Sequence, residues 1–167
     1  TDMQKLIENF DLKNISSSSA KFSDIVLKSL NSDVLKNYSV EKVIDKIRSG
    51  TNGVDIEKLW TFSQNNIVFL KDIEIWFKSI KNIIDLKEYD IPEILINTAI
   101  ENIPDEPFTY DSWDTWVKSI SVKTGLKGKN LYMPLRLILT GKEKGPELKN
   151  FLPLLDRQTI LNKFGKL

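Results

Sequence analysis

Arg136 and Thr140 stand four residues apart, and Gly145-Pro146 follows shortly after, within the stretch KGKNLYMPLRLILTGKEKGPELKNFLPLL at residues 127–155. Residues four apart share one face of a helix. A helix over 134–140 would therefore present one guanidinium and one hydroxyl together. Leu135 and Leu139 fall on another face and can bury, with Leu131 alongside them, which would hold the guanidinium stiffly. Gly141 frees the backbone, and Gly145-Pro146 is expected to open a further helix whose first N–H groups lack partners and carry partial positive charge. Lys127, Lys129, Lys142 and Lys144 surround this arrangement. A guanidinium fork, a helix start and a ring of ammonium groups suit phosphate and the polar edges of unpaired bases. The same residues would also form an ordinary solvated basic rim.

Other chemistries are excluded by what the chain lacks or by spacing. It has no cysteine and no histidine, so Cys/His zinc sites, disulfides and Cys–His or Ser–His–Asp catalysis are ruled out. Ser18-Ser19-Ala20-Lys21 matches S-x-x-K and Lys123-Thr124-Gly125 matches K-T-G, both fragments of penicillin-binding enzymes. The S-D-N element is missing and the surroundings read as helix, so these are chance matches. GLKGKN at 125–130 lacks the spacing of a phosphate-binding P-loop and the hydroxyl after its lysine. Acidic residues are plentiful, but none has the spacing of a calcium loop. No catalytic constellation is present, and no metal or cofactor is expected.

The charge is unevenly laid out. The formal net charge is +1, yet residues 118–149 carry eight Lys/Arg against two Glu, and residues 85–114 carry nine Asp/Glu against one Lys. That asymmetry points to a polyanion-facing surface on one part of the chain, or to two solvated faces. With 167 residues, 41% hydrophobic and 28% charged, there is material for one large or two small globular cores. The start, TDMQKLIENF, is amphipathic and unlike a signal peptide; Thr1 in place of Met is expected of an excised or processed piece. No apolar run reaches the length of a membrane span, and zero cysteine fits a cytosolic origin.

The periodicity predicts helices nearly throughout. Val26, Leu27, Leu30 and Val34 form one stripe; Val40, Val43, Ile44 and Ile47 a second, ended by Gly50 and the TNG turn. Ile56, Leu59, Trp60 and Ser63 suggest a third, and Leu70, Ile73, Phe77, Ile80 and Ile84 a fourth with Trp76 on its edge. Pro92 suits the first turn of a fifth. Asp111 is the expected cap of a sixth, carrying Trp113, Trp116, Val117 and Ile120 inward. Asp156 is expected to cap the last. The tryptophans read as core anchors rather than stacking platforms. The expected fold is all-α, two small helical bundles, with units at 1–84 and 85–167.

The order Leu131-Tyr132-Met133-Pro134-Leu135-Arg136-Leu137-Ile138-Leu139-Thr140-Gly141, then Gly145-Pro146-Glu147-Leu148, then Leu154-Leu155 resembles the C-terminal anticodon-binding region of bacterial-type glutamyl-tRNA synthetases, class I aminoacyl-tRNA synthetases. Ile15-Ser16-Ser17-Ser18-Ser19-Ala20-Lys21-Phe22 and Leu30-Asn31 are similar to the segment that leads into that family's helical C-terminal half. The resemblance implies an anticodon-binding α-helix cage, the last third of a glutamate–tRNA ligase whose partner is tRNA(Glu). It implies that Arg136 contacts the first anticodon base with Leu148 packed against it, and that Gly145 and Pro146 meet the middle base. Gly145 stands where a Thr hydroxyl can occur. Lys118 falls near a position associated with the third base. Members that reject tRNA(Gln) can carry an Arg where Asn66 or a neighbour stands here, so charging of tRNA(Gln) by the parent enzyme is left open. ATP and Mg would belong to an upstream catalytic domain of the same cytoplasmic protein. The other reading is a helical protein-interaction domain with complementary basic and acidic faces.

Overall fold

The computed structural model describes residues 3–18, 23–48 and 53–165, the side chain of Arg48 aside. Residues 19–22 of the upstream resemblance and residues 50–52 of the expected turn lie outside them. Within the described residues the chain is helical and has no strand. The helices are α1 (Met3–Glu8), α2 (Asp24–Lys36), α3 (Ile44–Arg48), α4 (Ile56–Ser63), α5 (Ile73–Lys81), α6 (Glu93–Glu101), α7 (Tyr110–Thr124), α8 (Lys129–Thr140), α9 (Leu148–Phe151) and α10 (Arg157–Lys163). Short 3-10 turns link several of them.

Side-chain caps set many of the starts. The Asp55 carboxylate accepts from Lys58 N at the head of α4, and Asp156 accepts from Thr159 N at the head of α10, each satisfying an orphan amide. Asp156 is the cap the sequence points to. Asp111 is not a cap. Thr109 takes that place in a reciprocal box: its hydroxyl accepts from Ser112 N at 3.3 Å, and Ser112 Oγ accepts from Thr109 N at 3.0 Å. Asp111 sits inside the first turn, where its charge still complements the helix dipole. The second expected stripe is split: a 3-10 turn at Val40–Lys42 precedes α3. Lys123-Thr124-Gly125 closes α7, with Gly125 left-handed at φ 74°, so the K-T-G match lies at a helix end and not on a strand.

One hydrophobic core runs from Leu35 to Phe164 and crosses the segment where the sequence suggests a break. All four tryptophans are buried in it. The Trp116 indole N–H donates to Ala99 O at 2.9 Å and the Trp60 indole N–H to Tyr38 O at 3.1 Å, so their polar ends are satisfied in the core. Trp76, expected on an edge, faces inward from α5, edge-on to Phe62 at 5.5 Å between ring centroids.

Two expectations need correction. The apolar stripe of α2 is not core: Val26, Leu27, Leu30 and Val34 are all exposed, and only Leu35 at the end of the helix is buried. The far end of α2 is fastened instead by polar bonds, Asn31 Nδ2 to Val68 O and Ser32 Oγ to Ile67 O. Second, α8 begins at Lys129, so Pro134 lies inside it rather than opening it. The apolar face of Leu131, Leu135, Ile138 and Leu139, each at most 2% exposed, outweighs the amide bond that the proline forgoes.

Candidate nucleic-acid interface

Helix α8 rests on that leucine–isoleucine face and turns Arg136 toward solvent, half-buried. The guanidinium is tied down at one corner: Nη1 donates to Pro146 O at 2.9 Å. Partial burial holds its pKa below the ordinary arginine value by desolvation, but a guanidinium stays charged throughout the usual range. The same side chain lines a pocket of about 240 Å³ together with Trp113, Tyr132, Glu147, Leu148 and Lys149. Glu147 and Lys149 pair at 3.0 Å on the rim. The pocket thus combines planar N–H donors, a carboxylate acceptor, an apolar floor at Leu148 and two aromatic side chains. Those are the groups that read an unpaired base by its edge and pack against its face.

The loop between α8 and α9 is fixed from the other side. Gly141 caps α8 in the left-handed region at φ 68°. Gly145, at φ 154°, lies flat against the Trp76 indole, where an added Cβ would fall 2.4 Å from the ring. A Thr at 145 has no room while Trp76 is there. Pro146 is buried, and its carbonyl holds Arg136. The geometry here differs from the sequence expectation: the following helix starts at Leu148, not Pro146, and is only four residues long. The anchoring of Arg136 therefore comes from a loop carbonyl, and a helix-dipole site does not enter.

Thr140 also departs from expectation. It is 2% exposed, and its hydroxyl donates to Arg136 O at 2.8 Å and accepts from Lys142 N at 3.2 Å. It closes the helix and does not present a hydroxyl beside the guanidinium. Lys118 and Lys127 come together in a neighbouring depression of about 300 Å³ that shares Tyr132 with the Arg136 pocket. Lys129 lies elsewhere, with Asp90 and Pro134 in a depression between α8 and the segment preceding α6. Lys144 is exposed on the loop, Lys142 lies half-buried just after the Gly141 cap of α8, and Asn66 is exposed in the 3-10 turn Gln64–Asn66.

Sequence reading missed Tyr132, Trp113 and Glu147 as pocket walls. Tyr132 was accessible to it, because 132, 136 and 140 are one turn apart. Trp113 was not, because only the packing of α7 brings it there. Among the described residues no cluster of three or more acidic side chains could hold a metal ion, and no helix is long and apolar enough to cross a membrane.

Comparison with known proteins fixes the family. The model of the anticodon binding domain matches residues 43–166. The chain belongs to the anticodon binding domain family. Curated relatives of this anticodon-binding chain include glutamate–tRNA ligase 1 of Rickettsia akari, 32% identical over 161 residues, covering 96% of the chain and 36% of the relative. The corresponding ligase of Brucella ovis is 36% identical over 161 residues, 92% of the chain and 34% of the relative. The chain spans about a third of the length of these relatives. A solved glutamate–tRNA ligase from Elizabethkingia meningosepticum, in complex with its amino acid, superposes with a TM-score of 0.81 over 99% of the chain and 36% of its own, at 23% identity. At that identity the match speaks for the all-α fold.

Proposed function

We propose that this domain grips the anticodon loop of tRNA(Glu) as the C-terminal third of a glutamate–tRNA ligase, supplying position and discrimination while catalysis occurs upstream. The observation that carries this reading is the Arg136 pocket, a guanidinium braced by a loop carbonyl on a leucine-backed helix inside the matched family region. In this reading Arg136 and Leu148 meet the first anticodon base. The Gly145-Pro146 turn stands toward the middle base, with Gly145 exposed and Pro146 buried beneath it, and Lys118 lies toward the third. Asn66 bears on whether tRNA(Gln) is also accepted, since an amide lacks the fork of an arginine. ATP and Mg would be held by the catalytic region of the parent enzyme, a cytoplasmic protein.

The exposed apolar face of α2 has a place in the same picture. Ile25, Val26, Leu27 and Leu30 are between 46% and 81% exposed, an unusual concentration for a water-facing surface. The rest of the parent polypeptide, about two thirds of the length of the relatives, is the occupant proposed for it.

The direct test is binding of the chain to tRNA as salt is raised. Each phosphate neutralised releases counterions, so affinity should fall by orders of magnitude between about 50 and 200 mM salt. A flat dependence, or no binding at the low end, contradicts the reading.

A further inference from the structure

A groove of about 590 Å³ runs along the seam where the second half of α5 meets the end of α8. Phe77, Lys78, Lys81 and Asn82 line it from one side, Thr140 and Lys142 from the other. Lys81 Nζ stands 5.3 Å from the Phe77 ring centroid. Lys78 reaches Glu74 at 3.8 Å, an exposed pair that water screens, and Glu143 is exposed beside Lys142.

The floor of the groove is held from behind by a buried cation. Lys163, 1% exposed, donates from Nζ to Ser79 O at 2.8 Å and to Asn82 O at 2.5 Å. Ser79 and Asn82 both line the groove. Among the described residues no carboxylate pairs with this ammonium within 4.0 Å. Two backbone carbonyls accept from two of its three N–H groups but do not cancel its charge. That charge lies behind two residues of the groove wall. The groove is also lined by Lys78, Lys81 and Lys142, so positive charge is gathered on one concave surface.

We propose that this groove is a second RNA contact, holding one or two backbone phosphates of the same strand whose base enters the Arg136 pocket. The proposal rests on the anticodon-loop reading above. Thr140 lies one turn beyond Arg136, about 6 Å along the axis of α8, and the Gly141–Glu147 loop runs between the two sites. Lysine ammonium groups act as point charges that position a phosphate without reading sequence. The half-buried Phe77 ring adds a surface on which a base can stack regardless of its identity.

The experiment replaces Lys78, Lys81 and Lys142 together by Gln. Affinity for anticodon stem-loop RNA is then measured across salt, with the four possible first anticodon bases. Exposed or half-exposed lysines leave the core untouched, and an unchanged thermal melt confirms it; were the triple variant unfolded, Lys78→Gln and Lys142→Gln would be read singly. The expected result is weaker binding at low salt, equal for all four RNAs. The slope of log affinity against log salt should become shallower by about 0.7 for each single-strand phosphate lost. Unchanged affinity and slope, while Arg136→Ala still loses binding, overturns the groove and leaves the Arg136 pocket standing. A loss that depends on the anticodon base also overturns it, because these lysines would then be reading bases. Wild-type chain that binds none of the RNAs removes both readings.

Discussion

Gly145 is where one residue decides the shape of the interface. A Cβ there would lie 2.4 Å from the Trp76 ring, on a backbone at φ 154° that side chains rarely adopt. Gly145→Ala is therefore expected to destabilise the chain by about 2–4 kcal/mol, strain and clash together. Trp76→Leu should relieve the clash, so that the double variant loses less than the two singles summed. Additive losses in denaturant unfolding would show that ring and glycine do not meet. Lys163 offers a second test at this scale. Burial lowers its pKa from 10.5 to about 8, so the folded chain binds this proton less tightly than the unfolded one. The folded form then carries a penalty below pH 8 that is relieved as pH rises from about 8 to 10.5. Wild-type stability should gain up to about 3 kcal/mol over that window relative to Lys163→Met, which lacks the titration. Parallel pH profiles for the two proteins would contradict the burial. Neither feature was legible in the sequence. No local pattern singles out Lys163, and only the return of α10 onto α5 buries it. Arg136 was legible because its support, Leu131, Leu135 and Leu139, is local.

The helices were the most readable elements, since period and caps are properties of neighbouring residues. What each apolar face meets is a longer-range matter, and there α2 misled. Its stripe is regular, but nothing in the described chain covers it. Leu30→Asp should thus change the stability of the isolated chain by no more than about 0.5 kcal/mol. Leu35→Ala, at a site 6% exposed in the same helix, should cost about 2–4 kcal/mol. A large loss from Leu30→Asp in the isolated chain would mean that α2 already packs there. In the longer parent polypeptide proposed above, the same substitution should become destabilising. The α7 cap shows the limits of local reading. Thr109 and Asp111 are both good cap residues, and only the extended backbone at Thr109 distinguishes them.

At the scale of the whole molecule, α5 packs against α8 and α10 lies against both, tied to α5 through Lys163. A core continuous from Leu35 to Phe164 ties those helices together. That arrangement places the Arg136 pocket and the lysine groove a turn apart on one scaffold. The fold class was legible because helical period dominates the sequence. The distribution of the lysines was not, because Lys118 and Lys127 share a depression while Lys129, only two residues on, faces a different one. The central claim is that Arg136 reads a base. The decisive measurement is the affinity of Arg136→Ala and wild-type chains for anticodon stem-loops differing only at the first anticodon base. A loss of about 1–3 kcal/mol for the preferred base, with little change for the others, is the predicted result. An equal loss for all of them would contradict it and make Arg136 a phosphate contact.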